Sequence, residues 1–311
     1  MLLNTLDVSL TPRKDTKIYN VQMNDGTLEM LTLIFEFKIA TAWQITRFLK
    51  QQDRLNYVYL KLRHLWQAGI LESFKVFTGS RAGMPVYYML SRQGLSIMRE
   101  YAHCDPNRLK NYPRAKTILS WNSFRHEAEV VELASLEAKN TAGNLKICFK
   151  GETASQEREF RSDKNIEVLT ADYTVYYTAF GVSECVYSEY ERTPKSTEAM
   201  IRKIERYVRY MNPETTTHTT LRFIFHSPQM EQSFWLGLLM NKASYLQKLR
   251  IFTTNLTLIE SYTQFVEPIY ASEQTVKVER QGRLTIDLTK RLKLFSFLWA
   301  TFTLIWLNKL F

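Results

Sequence analysis

Cysteine is scarce in this chain of 311 residues. Cys104, Cys148 and Cys185 lie too far apart for a CxxC pair, which excludes a disulfide framework and a thiolate zinc or redox site. Ten glycines and eight prolines exclude collagen-like and low-complexity chains. The opening MLLNTLDVSLTPRKD has acids and a proline where an export signal needs an unbroken apolar core, so the expected compartment is the cytoplasm.

What is present is apolar and basic. With 45% hydrophobic and 13% aromatic residues, the chain can fill two cores of ordinary size. The net charge of +10 is unevenly placed: residues 38–120 hold fourteen bases against four acids, while residues 1–37 are slightly acidic and 121–311 nearly balanced. A segment of that kind attracts a polyanion by counterion release, and double-stranded DNA is the expected partner.

Residues 27–102 read as a winged helix-turn-helix. TLEMLTLIFEF is an amphipathic helix, and Thr41 stands ready to cap TAWQITRFL. Asp53 precedes a third helix, RLNYVYLKLRHLWQAG, which Gly69 closes. Leu55, Val58, Leu62 and Leu65 make its core stripe. ILESFKVF and VYYML then form a ribbon around the TGSRAGMP turn. On this reading Tyr57, Lys61 and His64 face the major groove, Arg54 lies near phosphate, and Arg81 sits at the wing tip beside a minor groove. The same architecture also serves as a protein-docking module, which stays open at this point.

Residues 103–120 read as a linker, and 121–272 as a mixed α/β domain, giving an α+β protein overall. ADYTVYYT and ECVYSEYE form a hairpin turning at Phe180 and Gly181, so opposed positions sum to about 361 and Asp172 faces Glu189. Glu191 lies on the same strand face as Glu189. This oxygen-rich set suits Mg²⁺ or Mn²⁺, with Lys195 and Lys203 from the following segment and Glu127 and Glu129 from the first helix as further contributors. The bland alternative is a solvated strand face paired with Arg192 or Lys195.

The motifs LRHLWQAGILE, PVYYMLSRQG, WNSFRHEAEV, SEYERTPKS and IRKIERYVRY, in that order, resemble the replication-relaxation family of plasmid and mobile-element proteins over roughly residues 28–260. The resemblance implies a second domain like the PD-(D/E)xK nucleases, with Asp172 and Glu189 as metal-binding acids and an Mg-dependent endonuclease as the activity. Ala171 stands where the motif has proline, and Glu191 where it has the catalytic lysine, a place Lys203 could take from the next helix. A rolling-circle relaxase is a poorer match. None of the five histidines lies two positions from another, and such enzymes need two flanking one apolar residue.

Residues 273–311 read as a basic segment and an apolar C-terminal helix. Positions 294–307 carry no charge, which is short for a bilayer span, so the helix either packs on protein or tethers the chain to a membrane. The expected function is DNA binding in replication, relaxation or mobilisation, with replication or relaxosome proteins as partners. The second domain is either a metal-dependent nickase or a non-catalytic docking and oligomerisation module.

Overall fold

The computed structural model describes residues 8–10, 21–76, 85–102, 104, 106–118, 121–141, 146–152, 159–162, 165–179, 182–210, 219–240, 250–261, 276–278 and 284–286. Residue contacts divide the chain into two compact units, 1–139 with 150–156, and 140–149 with 157–311. The boundary expected at 121 therefore falls near 140.

The first unit opens with β1 (Val8–Leu10) and α1 (Asp25–Phe37), which Asn24 caps by accepting from the Thr27 amide at 3.0 Å. β2 (Ala40–Thr41) leads directly into α2 (Ala42–Phe48). Thr41 caps α2 as expected, and the Gln44 side chain reaches back to the Thr41 amide at 2.9 Å, so each residue satisfies an orphan donor of the other.

A 3₁₀ turn at Gln52–Arg54 precedes α3 (Leu55–Gln67). Asp53 lies within that turn, and the α3 N-terminus has no side-chain cap, so the expected Asp53 cap is not formed. Val58, Leu62 and Leu65 are fully buried as expected, whereas Leu55 is half-buried. At the far end Gly69 takes φ 82°. The Ile70 amide bonds the Leu65 carbonyl at 2.9 Å and the Gly69 amide the Trp66 carbonyl at 3.0 Å, the paired closure that needs a left-handed residue after the helix.

β3 (Leu71–Val76), β4 (Val86–Leu90) and α4 (Arg92–Tyr101) follow, and the strands form an antiparallel sheet in the order β1-β3-β4-β2. Arg81 lies outside the described residues. The stretch 103–120 is not a loose connection. It contains α5 (Pro106–Lys110) and α6 (Ala115–Ile118), and α7 (Trp121–Asn140) comes next. Arg108 is buried, bonds Glu36 at 2.8 Å and lies 4.9 Å above the Phe35 ring. Tyr112 stacks on Phe35 and donates to the Lys38 carbonyl at 2.7 Å.

Lys38, at φ 66°, ends α1 in the left-handed region. Its buried ammonium bonds Glu127 at 2.6 Å and also Glu152. Burial alone would lower its pKa, but the two carboxylates outweigh that and raise it. Glu127 and Glu129 have partners inside the first unit, Lys38 and Arg125 respectively.

β5 (Lys146–Gly151), whose last two residues belong to the first unit, is followed in the second by a hairpin of β6 (Glu159–Ser162) and β7 (Asn165–Val168) that the sequence pattern did not announce. Then come β8 (Tyr173–Ala179), β9 (Val182–Glu191), α8 (Thr197–Tyr210), β10 (Thr219–Phe225), α9 (Pro228–Met240), β11 (Arg250–Asn255), α10 (Leu256–Ser261) and the paired β12 (Val276–Val278) and β13 (Leu284–Ile286).

The main sheet runs β11-β10-β9-β8-β5. β8 and β9 are antiparallel, and β9, β10 and β11 are parallel, because helical crossovers α8 and α9 return the chain to the same end each time. Ser196 caps α8, accepting from the Ala199 amide at 3.2 Å. The apolar stretch 294–311 lies outside the described residues. Among the described residues, no helix is long and apolar enough to cross a membrane.

Gly94 marks a close approach in the first unit. A Cβ there would lie 2.4 Å from the Ile70 carbonyl oxygen, an overlap relieved only by moving backbone. Gly94→Ala is expected to cost about 1–3 kcal/mol, read as a lowered melting temperature.

Candidate functional site

Side chains alternate along a strand, and one face of β9 and β10 carries Tyr187, Leu221, Phe223 and Phe225 in the core under α8 and α9. Glu189 and Glu191 occupy the same face, in register with Phe223 and Phe225. They are 2% and 1% exposed, so the solvated-face reading is overturned. The hairpin has the expected register. Tyr173 pairs with Ser188 and Ala179 with Val182, and Asp172 immediately precedes β8.

α8 supplies the compensation. Met200, Ile204 and Tyr207, spaced by four and three, seat the helix on the core, which aims Lys203 at the strand. Its Nζ lies 2.8 Å from Glu189 Oε2 and 2.6 Å from Glu191 Oε1. The Tyr207 hydroxyl donates to Glu189 Oε1 at 2.5 Å, and Lys195 Nζ lies 2.6 Å from Glu191 Oε2. Asp172 Oδ2 accepts from the Tyr190 amide at 2.6 Å. Asp172, Glu189, Glu191 and Lys203 thus form one cluster, with Glu191 at the strand position where the nuclease motif has its lysine and Lys203 reaching in from α8.

Burial pushes the Glu189 carboxyl up to about 7; Lys203 pulls it down, and the Asp172 charge adds to the rise. Burial works against the Lys203 ammonium, but Glu189, Glu191 and Asp172 together hold its pKa above the ordinary range. Beside the cluster is a cavity of about 220 Å³, lined by Glu191, Lys195, Met200, Ile201, Phe225 and Phe234 among others.

Every carboxylate oxygen of Glu189 and Glu191 accepts from Lys203, Lys195 or Tyr207. Among the described residues no group of three or more His, Cys, Asp or Glu is arranged to hold a metal. As it stands, the cluster is built around an ammonium rather than a divalent cation. The expected Mg²⁺ would have to displace Lys203, so the residues present do not fit it in this arrangement.

Of the expected DNA-facing residues, Tyr57, Lys61 and His64 sit on α3 of the first unit and Arg54 in the 3₁₀ turn before it. Arg54, Tyr57 and His64 are exposed, and Lys61 is half-buried. Asn56, which the sequence left undecided as a base reader, is exposed too, as are Tyr59, Leu60 and Arg63, which sequence reasoning passed over. Counting helical rotation from the buried leucines would have found them. α3 contains no acid.

A family model described as replication-relaxation matches residues 31–223, from within α1 to within β10. The chain belongs to the replication-relaxation family. The match takes in α3 and all four residues of the carboxylate–lysine cluster. No curated protein and no solved structure matches the chain.

Breaking the cluster from one side strands buried charge. Lys203→Met is expected to cost about 3–5 kcal/mol, with most of it recovered when Glu189→Gln and Glu191→Gln are added, measured by denaturant unfolding. The folded chain holds the Glu189 proton above the unfolded value of 4.5. Its stabilising contribution is therefore full below that pH and lost as pH rises toward about 7. Relative to Glu189→Gln, the wild type should lose stability across this window.

Proposed function

We propose that this member of the replication-relaxation family binds double-stranded DNA through its first unit and acts in replication, relaxation or mobilisation of a plasmid or mobile element. The single observation that carries the reading is the solvent side of α3, which presents Lys61, Arg63 and His64 with tyrosines and without one carboxylate, Arg54 standing exposed in the turn before it. The element order of the first unit supports a winged helix: three helices, a two-residue strand before the second, and a β3–β4 ribbon after the third. In that arrangement α3 enters the major groove, and Arg81 would reach an adjacent groove from the ribbon tip.

For the second unit, the sheet order β5-β8-β9-β10-β11 and the place of Asp172 at the start of one strand, opposite Glu189 on the next, support a nuclease-like PD-(D/E)xK fold. We read its site as non-catalytic, a closed ion cluster in a domain used for docking replication or relaxosome proteins or for oligomerisation. The saturation of Glu189 and Glu191 by lysine and tyrosine favours this. A second reading, Mg-dependent nicking, is favoured by the convergence of Asp172, Glu189 and Lys203. In it Lys203 would have to leave Glu189 and Glu191 before they and Asp172 could hold the ion. The proposed compartment is the cytoplasm, with tethering through 294–311 tested by fractionating cells that express the chain with and without that stretch.

For DNA binding, Lys61→Ala with Arg63→Ala should weaken binding to duplex DNA and reduce the salt slope by about 2. An unchanged slope would instead make the first unit a protein-docking module. For the second unit, wild type and Asp172→Ala/Glu189→Ala should leave supercoiled plasmid equally intact in Mg²⁺. Nicking by the wild type alone would establish the endonuclease.

A further inference from the structure

The outermost line of α3 is not its charged residues. At about 100° per residue, Leu60 points roughly 170° and Asn56 roughly 150° away from the mean direction of the buried Val58, Leu62 and Leu65. Tyr57 and Lys61 lie to one side of that crest, and Tyr59 and Arg63 to the other. Lys61 is accordingly half-buried, while Asn56 and Leu60 are exposed. Leu60 is 50% exposed.

An isolated exposed leucine is ordinary. This one is not isolated. Trp43, Tyr57, Tyr59 and Leu60, all on α2 and α3, are four of the six large apolar side chains left exposed among the described residues. On α3 the exposed tyrosines and Leu60 stand among Lys61, Arg63 and His64 with no acid in the helix, and Arg54 follows Asp53 in the turn before it. A protein partner would supply apolar area but would also have to bring carboxylates to Lys61 and Arg63. A duplex supplies phosphates on both walls of a groove and, on the groove floor, thymine methyls and base edges. A crest of one amide and one branched apolar group, with cations and phenols on both flanks, has the cross-section of that groove.

We infer that Asn56 and Leu60 are the specificity-determining residues of α3, Asn56 pairing with an adenine edge and Leu60 packing on a thymine methyl one helical turn along. The inference rests on the proposal that α3 faces DNA. It goes further by assigning sequence discrimination to two uncharged side chains and confining the flanking cations to phosphate. The Asn56 amide can donate to N7 and accept from N6–H of adenine together. Leu60 has no hydrogen-bonding group and discriminates only through the methyl.

The test begins with selection by the full-length protein from a randomised duplex pool. The selected duplex is then remade with deoxyuridine in place of each thymidine in turn, which deletes only the methyl. The expected result is a motif containing A·T pairs, with one substitution weakening wild-type binding about fivefold. Leu60→Ala should bind the two duplexes equally. Asn56→Ala should lose about tenfold in preference at one adenine while keeping the wild-type salt slope. Both positions are exposed, so the variants should melt with the wild type, and a circular-dichroism melt verifies this.

Salt-dependent binding without a selected motif would overturn this inference and leave the DNA-binding proposal standing. So would a Leu60→Ala variant that still discriminates thymidine from deoxyuridine. Absence of duplex binding at any salt concentration would overturn both.

Discussion

One ammonium group holds together the face of the second unit's sheet that α8 covers. Glu189 and Glu191 sit on a strand face whose neighbours are Tyr187, Phe223 and Phe225, where an ionised carboxylate without a partner costs several kcal/mol. Lys203 stands between them, and Tyr207 of the same helix adds a hydroxyl. The apolar residues of α8 put the helix on the sheet, but Lys203 fixes where along the strand it lies, because only one register brings its ammonium to both acids. Gly237 of α9 contributes to the same packing by accepting close approach: a Cβ there would lie 2.5 Å from the Thr197 hydroxyl of α8.

Charge is used in opposite ways in the two units. In the first, buried ions are neutralised in place: Glu36 takes Arg108, Lys150 and the Gly151 amide, and Lys38 takes Glu127 and Glu152. The cations of α3, by contrast, are left on the surface with no acid in the helix to oppose them. The excess of bases over residues 38–120 is therefore not spread evenly over structural roles. Arg108 contributes to it while being internal, so the count overstates what a polyanion could meet.

Local features were legible in the sequence. The hairpin register followed from a two-residue turn and strict alternation, and it placed Asp172 beside Glu189 correctly. Thr41 and Gly69 revealed their helix ends through residue chemistry alone. Features that depend on what covers a residue were not legible. Glu189 and Glu191 look like ordinary surface acids until α8 is laid over them, and Lys203 becomes their partner only through that packing. Residues 103–120 read as linker because Arg108 and Tyr112 are not apolar, yet each is buried with its polar end satisfied. On α3 the stripe of Tyr57, Lys61 and His64 was displaced from the true outward line. It was counted from Arg54, which belongs to the preceding 3₁₀ turn, and the exposed Leu60 had the wrong polarity to attract notice.

Thr41 takes part in two structures at once. Its backbone pairs with Tyr87 of β4, while its hydroxyl starts α2. No spacer residue separates strand from helix at this corner, so the ribbon and the helical pair share a rigid joint. A displacement of β4 is passed to the axis of α2 without slack, and the curvature of whatever surface the ribbon rests on becomes a determinant of how the helices meet it.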